Sequence, residues 1–433
     1  MHQRTMHRRS PLGRPRGGRA LPVVASLLAA ALLLGACGGG SAGTGANGGK
    51  AGGGAASAPV ELTVIAGWAG AEQSQFMPVL KEAEKKLGIK ITYRIYRAED
   101  LANVLPPQFQ AQQAPGDVIF MWDWWVKQNH QYAEDLTDIW QPQASQFTVP
   151  AAEVDGRVYA LPYDMNVKPG FWYRKSFFEK NGLQPPKTWD EFLALLEKIS
   201  KIPGVRKPIV SGDGTGWPLT DETEHFLITF GGPELQKDLI AGRVKWTAPR
   251  VRDIFQSRLI PVLQYSSAPI EWTQAIDLWW NGQYALYFMG NWITGMVKDP
   301  NDLGFFPLPG AKGIVGATDY LFVPKYGAHV AEAKKLAAFL ISREGQALRV
   351  RQGGGKLSPR RDVPLDQAPA VDRMVAEQIK GMEILPDLDD SIGGDWQRLF
   401  WDQLKLLWVQ PSSLDRVLRT LEQAREQQST SGK

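Results

Sequence analysis

The chain has 433 residues, 43% hydrophobic and 22% charged, a balance that fits a soluble globular protein of two domains. Its formal net charge of +4 resides in the first 36 residues, which carry six Arg and no acid, so the remainder is at −2 and offers no basic nucleic-acid surface. A single Cys excludes an intrachain disulfide, and sixteen Trp against nine Met supply unusually many wide, flat apolar faces with one donor each.

The chain opens on Arg4, Arg8, Arg9, Arg14, Arg16 and Arg19, then the apolar run LPVVASLLAAALLL, then Leu34-Gly35-Ala36-Cys37. That order predicts an export signal over 1–36, and LGAC resembles a bacterial lipobox, which implies cleavage before Cys37 and a lipid on its thiol. Arg8-Arg9 lacks the flanks of a twin-arginine signal, so the general secretory route is expected. Residues 37–58 are a Gly/Ala/Ser linker, a flexible coil spanning about 25 Å. No later stretch is apolar enough to cross a bilayer. The expectation is an exported protein held by lipid only, on the outer face of the cytoplasmic membrane or in the periplasm.

The folded part begins with ELTVIAG (61–67), a buried strand, followed by AEQSQFMPVLKEAEKKL, which puts Phe76, Val79, Leu80, Ala83 and Leu87 on one helical stripe. Ile89, Ile91, Tyr93 and Ile95 then alternate with polar neighbours as a strand. A helix near 99–113 and the strand DVIFM (117–121) extend this βαβ unit into an α/β, doubly wound sheet. Trp122 and Asp123 follow the carboxyl end of that third strand, as Gly67-Trp68-Ala69-Gly70 follows the first. Ligands of open α/β sheets bind in the crevice outside such ends. Trp124 and Trp125 are expected to pack beneath the next helix, which Asp123 could cap.

Residues 156–199, GRVYALPYDMNVKPGFWYRKSFFEKNGLQPPKTWDEFLALLEKI, combine G-x-x-Y-A-L-P with W-Y-x-K-x-x-F-E-K-x-G-L-x-x-P-x-T-W-x-E-F. Thr188 and Glu191 form a capping box there, and Phe192, Leu195, Leu196 and Ile199 a buried face. LWWNGQYALYFMGNWI (278–293), LGFFPLPG (303–310), EAKKLAAFLISREGQ (332–346) and GGGKLSPRRDV (353–363) follow in order. Together these segments resemble the extracellular solute-binding proteins of ABC transporters, in the maltose-binding-protein-like, sugar-binding branch, over about residues 59–425. The resemblance implies a two-lobe periplasmic-binding-protein fold with discontinuous lobes and a hinge: 59–165 plus 316–368 in lobe 1, 170–312 plus 372–433 in lobe 2. Crossings are expected near Asn166–Gly170, Leu308–Lys312 and Pro369.

A sugar needs flat aromatics for its C–H faces and Asp, Asn or Glu for its paired hydroxyls. By resemblance, the ligand contacts fall on Trp68, Glu72, Trp122, Asp123, Asp164, Asn166, Trp217, Asn291, Trp292, Asp319 and Trp396, with Trp292 and Trp396 as stacking residues. YDMNVKPG departs from maltose-binding protein by an extra residue and different polar types, which leaves the sugar open. Trp401 and Trp408 are expected to be packing. SGDGTGW (211–217) lacks the Lys-Ser/Thr ending of a phosphate loop.

The expected function is an extracytoplasmic receptor for a mono-, di- or oligosaccharide, a monomer without cofactor that delivers its ligand to an ABC permease. Trp boxes with acids also hold ammonium groups, so a polyamine is the alternative. A glycosidase using Asp123 with Asp164, or Asp319 with Asp395, is more remote. The five His (2, 7, 130, 225 and 329) show no metal-ligand spacing. His130 is expected to be solvated.

Overall fold

A computed structural model describes residues 58–213 and 216–431. The leader, Cys37 and the linker through residue 57 lie outside the described residues, and no described helix is long and apolar enough to cross a membrane.

The strands in chain order are β1 (Glu61–Ala66), β2 (Lys90–Ile95), β3 (Val118–Met121), β4 (Ala152–Val154), β5 (Arg157–Lys168), β6 (Gly170–Arg174), β7 (Lys207–Val210), β8 (Gly212–Asp213), β9 (Ile270–Glu271), β10 (Tyr284–Met289), β11 (Leu303–Phe306), β12 (Gly313–Phe322) and β13 (Glu383–Pro386). They form a seven-stranded sheet in the order β2-β1-β3-β12-β5-β4, with β13 beside β12, and a four-stranded sheet in the order β11-β6-β10-β7. A third pairing joins only β8 and β9. β1 runs parallel to both β2 and β3, as the βαβ pattern requires. Each large sheet anchors its own lobe.

Local sequence explains the elements that flank the sheets. The helix Ala71–Leu87 buries Phe76, Val79, Leu80 and Ala83, the predicted stripe, against β1 and β3. In the other lobe Thr188 caps the helix Trp189–Ser200 by accepting from Glu191 N, while Glu191 Oε2 reaches back to Lys187 N at 2.6 Å. That helix buries Phe192, Leu195, Leu196 and Ile199, each worth about 1.5–3 kcal/mol of burial. β2 departs from expectation: its alternation is weak and Ile95 is 44% exposed, because it is an edge strand.

Three passages connect the sheets: Lys168 to Gly170, residues 307–312, and the step from β13 to Leu388. At the first, Gly170 has φ +141, and a Cβ there would strike the Phe306 carbonyl, so the first two passages pack backbone to backbone. The third differs from the sequence boundary. Pro369 leads into the helix Ala370–Gln378, whose Val371 and Val375 pack with Trp292 and Leu303, and β13, expected in lobe 2, pairs with β12. β13 is four residues long and mostly exposed, so it has no hydrophobic period to reveal it.

One helix, Trp217–Gly231, touches all three passages through a single face. Asp221, Glu224, His225 and Ile228 recur at helical spacing. Asp221 meets Lys168 at 3.0 Å, His225 Nε2 accepts from Leu308 N at 2.9 Å, and Glu224 Oε2 accepts from Leu388 N at 2.8 Å. Ile228 packs on Val315 of β12 and Leu385 of β13. The polar run TDETEH is therefore wholly buried.

Candidate functional site

The crevice between the two sheets contains a cavity of about 230 Å³, joined by shared walls to a second of about 400 Å³. Strand ends build the lobe 1 side. β1 delivers Trp68, held by Phe76 and Phe120 at ring distances of 4.9 and 4.8 Å, and β3 delivers Trp122. β5 contributes Asn166 and Lys168, and β12 contributes Asp319. Lobe 2 faces them with Trp217, Trp272, Trp292 and Trp401; Trp217 meets Trp272 and Trp292 edge-on, both at 5.6 Å. Six indoles thus surround one space.

Two buried lysines organise the acids. The loop Gly353-Gly354-Gly355 bends Lys356 into the cleft; Gly355 has φ +75 and lies so close to the Asn291 carbonyl that a Cβ would collide with it. Lys356 Nζ lies 3.5 Å from both Glu72 and Asp319, and 5.4 and 5.8 Å from the ring centres of Trp68 and Trp292. Asn166 Nδ2 donates to the same Asp319 carboxylate at 2.9 Å. At the hinge, Lys168 Nζ bonds Asp387 at 2.5 Å and Asp221 at 3.0 Å.

More carboxyls meet there than one ammonium can neutralise. Burial pushes Asp221 up to about 7 against the pull of Lys168, and burial with repulsion from Asp387 raises Asp389, Asp390 and Glu224 well above the usual carboxylate range. Asp387 is held low, since Lys168 and its hydrogen bonds outweigh its burial. Asp389 is further tied by Trp401 Nε1 at 2.6 Å. Oxygens of Asp221, Glu224 and Asp387, and of Asp387, Asp389 and Asp390, lie within 4.8 Å of one another, a spacing a cation could use. Lys168 already occupies that role for Asp221 and Asp387.

Of the residues singled out by sequence, Trp68, Glu72, Trp122, Asn166, Trp217, Trp292 and Asp319 line the first cavity. Asp123 lines the second, bonded to Lys127 at 2.6 Å. It does not cap the helix Asp123–Gln128, whose N-cap is Trp122. Three others lie away from both cavities. Asp164 is sealed under the floor with Arg349 at 3.1 Å. Asn291 is also buried, its Oδ1 accepting from Val167 N and its Nδ2 donating to Gly355 O, so it positions the hinge and the lysine loop. Trp396 sits in the lobe 2 core among Trp246 and Phe400 and donates to Leu421 O.

The expected contacts do not include Arg97, Glu99, Lys168, Asp221, Trp272, Lys356, Asp387, Asp389 or Asp390, all of which line the cavity, and Trp401, expected to be packing, lines it too. Trp408 is packing, with Nε1 on Ser211 Oγ. Trp125 is buried, while Trp124 stacks on Trp122 at 5.5 Å. His130 is half-buried, its Nδ1 2.8 Å from Lys127 O. The acid pairs considered for bond cleavage share no cavity: Asp164 is sealed and Asp395 faces solvent beside Arg398.

Residues 67–347 match the family model described as bacterial extracellular solute-binding protein. The chain belongs to that family. An uncharacterized ABC transporter extracellular-binding protein of Pyrococcus horikoshii is 56% identical over 375 residues, which is 84% of this chain and 88% of the relative. Among solved structures, the solute receptor AcbH, described as preferring β-D-galactopyranose, superposes with a TM-score of 0.77 at 18% identity, covering 85% of this chain and 98% of that one. Maltose-bound MalE3 of T. maritima gives 0.70 at 18% identity, covering 84% and 98%. At these identities the structures establish the two-lobe fold. As a solute-binding protein of this family the molecule is an exported receptor that takes a small-molecule ligand and serves an ABC permease.

Proposed function

We propose that this solute-binding protein is a sugar receptor, taking a mono-, di- or short oligosaccharide between its lobes and passing it to an ABC importer by hinge closure. One observation carries the reading: six indoles from both lobes surround a single cavity whose polar lining includes Asn166, Asp319, Glu72 and Lys356, with Arg97, Lys168 and the hinge acids beside them. Indole faces cover the C–H faces of a pyranose, and the acceptors and the ammonium meet its hydroxyls. Closure follows from ligand bridging both walls, so the closed form has the higher affinity. The molecule is a monomer held at the outer membrane face by lipid on Cys37, which leaves the cleft free to meet the permease.

Isothermal calorimetry against gluco- and galacto-configured mono- and disaccharides tests this reading. Saturable binding by one of them is expected, and no heat from any of them would overturn it. The surplus of carboxyls over Lys168 and Lys356 favours a second reading, a polyamine ligand held by acids and indoles. Spermidine that binds alone, with no sugar competing, would select it.

A further inference from the structure

Charge in the cleft is unevenly shared. Lys356 serves Glu72 and Asp319, and Lys168 serves Asp221 and Asp387. Among the described residues no lysine or arginine forms an ion pair with Asp390, whose one side-chain partner is Gln397 Nε2 at 2.6 Å. Asp390 is half-buried and lines both cavities at their junction, as Trp122 does. Asp389 lies beside it, and Asp123 of lobe 1 looks on from the wall of the second cavity. Acids of both lobes thus line the second cavity together.

The same cavity holds buried acceptors that the protein leaves without donors. Asn166, 5% exposed, has no partner for Oδ1, and Asp221, 1% exposed, has none for Oδ2. A neutral sugar offers hydroxyl donors to these oxygens but no charge to Asp390. An ammonium supplies three donors and the missing charge together, and the face of Trp122 attracts it further.

We propose that the sugar carries a protonated amino group, seated where the two cavities meet, against Asp390 and the face of Trp122. This rests on the sugar reading above. An amino sugar suits this lining better than a linear polyamine, because a pyranose ring has C–H faces for the indoles that line the cavity from both lobes. Without ligand, burial and Asp387 raise the Asp390 carboxyl, with Lys168 partly opposing them and Asp221 and Asp123 adding repulsion. An ammonium against Asp390 pulls its carboxyl back down, so binding is linked to proton release.

Calorimetry on the purified protein tests this with matched pairs: D-glucosamine against D-glucose, D-galactosamine against D-galactose, and β-1,4-linked diglucosamine against cellobiose. The amino member of the binding pair should be favoured about tenfold or more, as a charge-assisted contact requires. Its apparent enthalpy should change with the buffer's ionisation enthalpy, and Asp390→Asn should abolish the preference. A neutral sugar that binds as tightly as its amino partner overturns this inference and leaves the sugar reading standing. Binding by no sugar of either kind, with or without spermidine binding, overturns both. The wild-type comparison decides the matter even where the variant fails to fold.

Discussion

Lys168 and Lys356 are 3% and 4% exposed, and each touches two carboxylates, yet they occupy opposite kinds of surroundings. Lys168 lines the first cavity too, but its ammonium is engaged by the hinge acids Asp221 and Asp387. Around Lys356 there are two indole faces and open cavity. The first ammonium holds a hinge together; the second is part of the wall a ligand meets. Chemistry at the atom is the same, and the neighbours decide the role.

Removing each lysine in turn is the sharpest way to break that contrast. For Lys168→Met we predict a stability loss of about 3–5 kcal/mol in urea unfolding at pH 7, since ionised Asp387 is left buried without its cation. Lys356→Met should lose clearly less stability and show its effect in ligand affinity, because Glu72 and Asp319 retain contact with the cavity. Equal stability losses for the two would end the distinction.

A smaller effect separates hinge acids that have a cation from one that has none. Glu222, on the same helix, is pushed up to about 8 by burial alone, and its Oε1 has no partner. A carboxyl raised in the fold stabilises below its unfolded value, near 4.5, and that contribution is lost as pH climbs through 8. Glu222→Gln should therefore match wild type near pH 4 and exceed it by up to about 4 kcal/mol at pH 9. Unfolding curves across that range check it. His225 has the opposite sign: burial lowers it to about 3, so its contribution is present above 6.5 and drains away as pH falls toward 3.

Much of the fold was legible because it is periodic. The βαβ start, the stripe on Ala71–Leu87 and the capped helix at 188–199 each carry a pattern of spacing that physics ties to one conformation. The hinge helix was not legible, because TDETEH has the composition of a solvated surface, and only the three passages folding over it make it interior. Nor was Lys356, whose GGGK context marks a flexible turn until a neighbouring carbonyl forces the glycines. Trp396 and Trp401 show the limit best. Five residues apart on one helix, they point about 140° apart, so one enters the core with Phe400 and the other faces the cleft. Composition cannot choose between those two faces without knowing where the second sheet lies.

The wall around Lys356 can be probed more finely through its indoles. Trp292→Ala should weaken sugar binding by about 1–3 kcal/mol, the scale of one lost aromatic face, while Trp396→Ala should act on stability and not on affinity. Calorimetry with the best-binding sugar distinguishes them. Affinity that falls with Trp396 and not with Trp292 would reverse the assignment of the two residues.

The smallest expected effect lies at the rim. Lys127 bonds Asp123 at 2.6 Å, but both side chains are a third or more exposed. Such a pair is screened by water and salt, so Lys127→Ala should change stability by less than about 1 kcal/mol. Its consequence should appear elsewhere. Freed from its cation, Asp123 adds negative potential to the wall opposite Asp390, so an ammonium-bearing ligand should bind slightly more tightly and a neutral one no differently. Calorimetry at two salt concentrations would see that gain shrink as salt rises. A gain that salt does not touch would mean that Asp123 acts by direct contact, and that the ligand reaches into the second cavity.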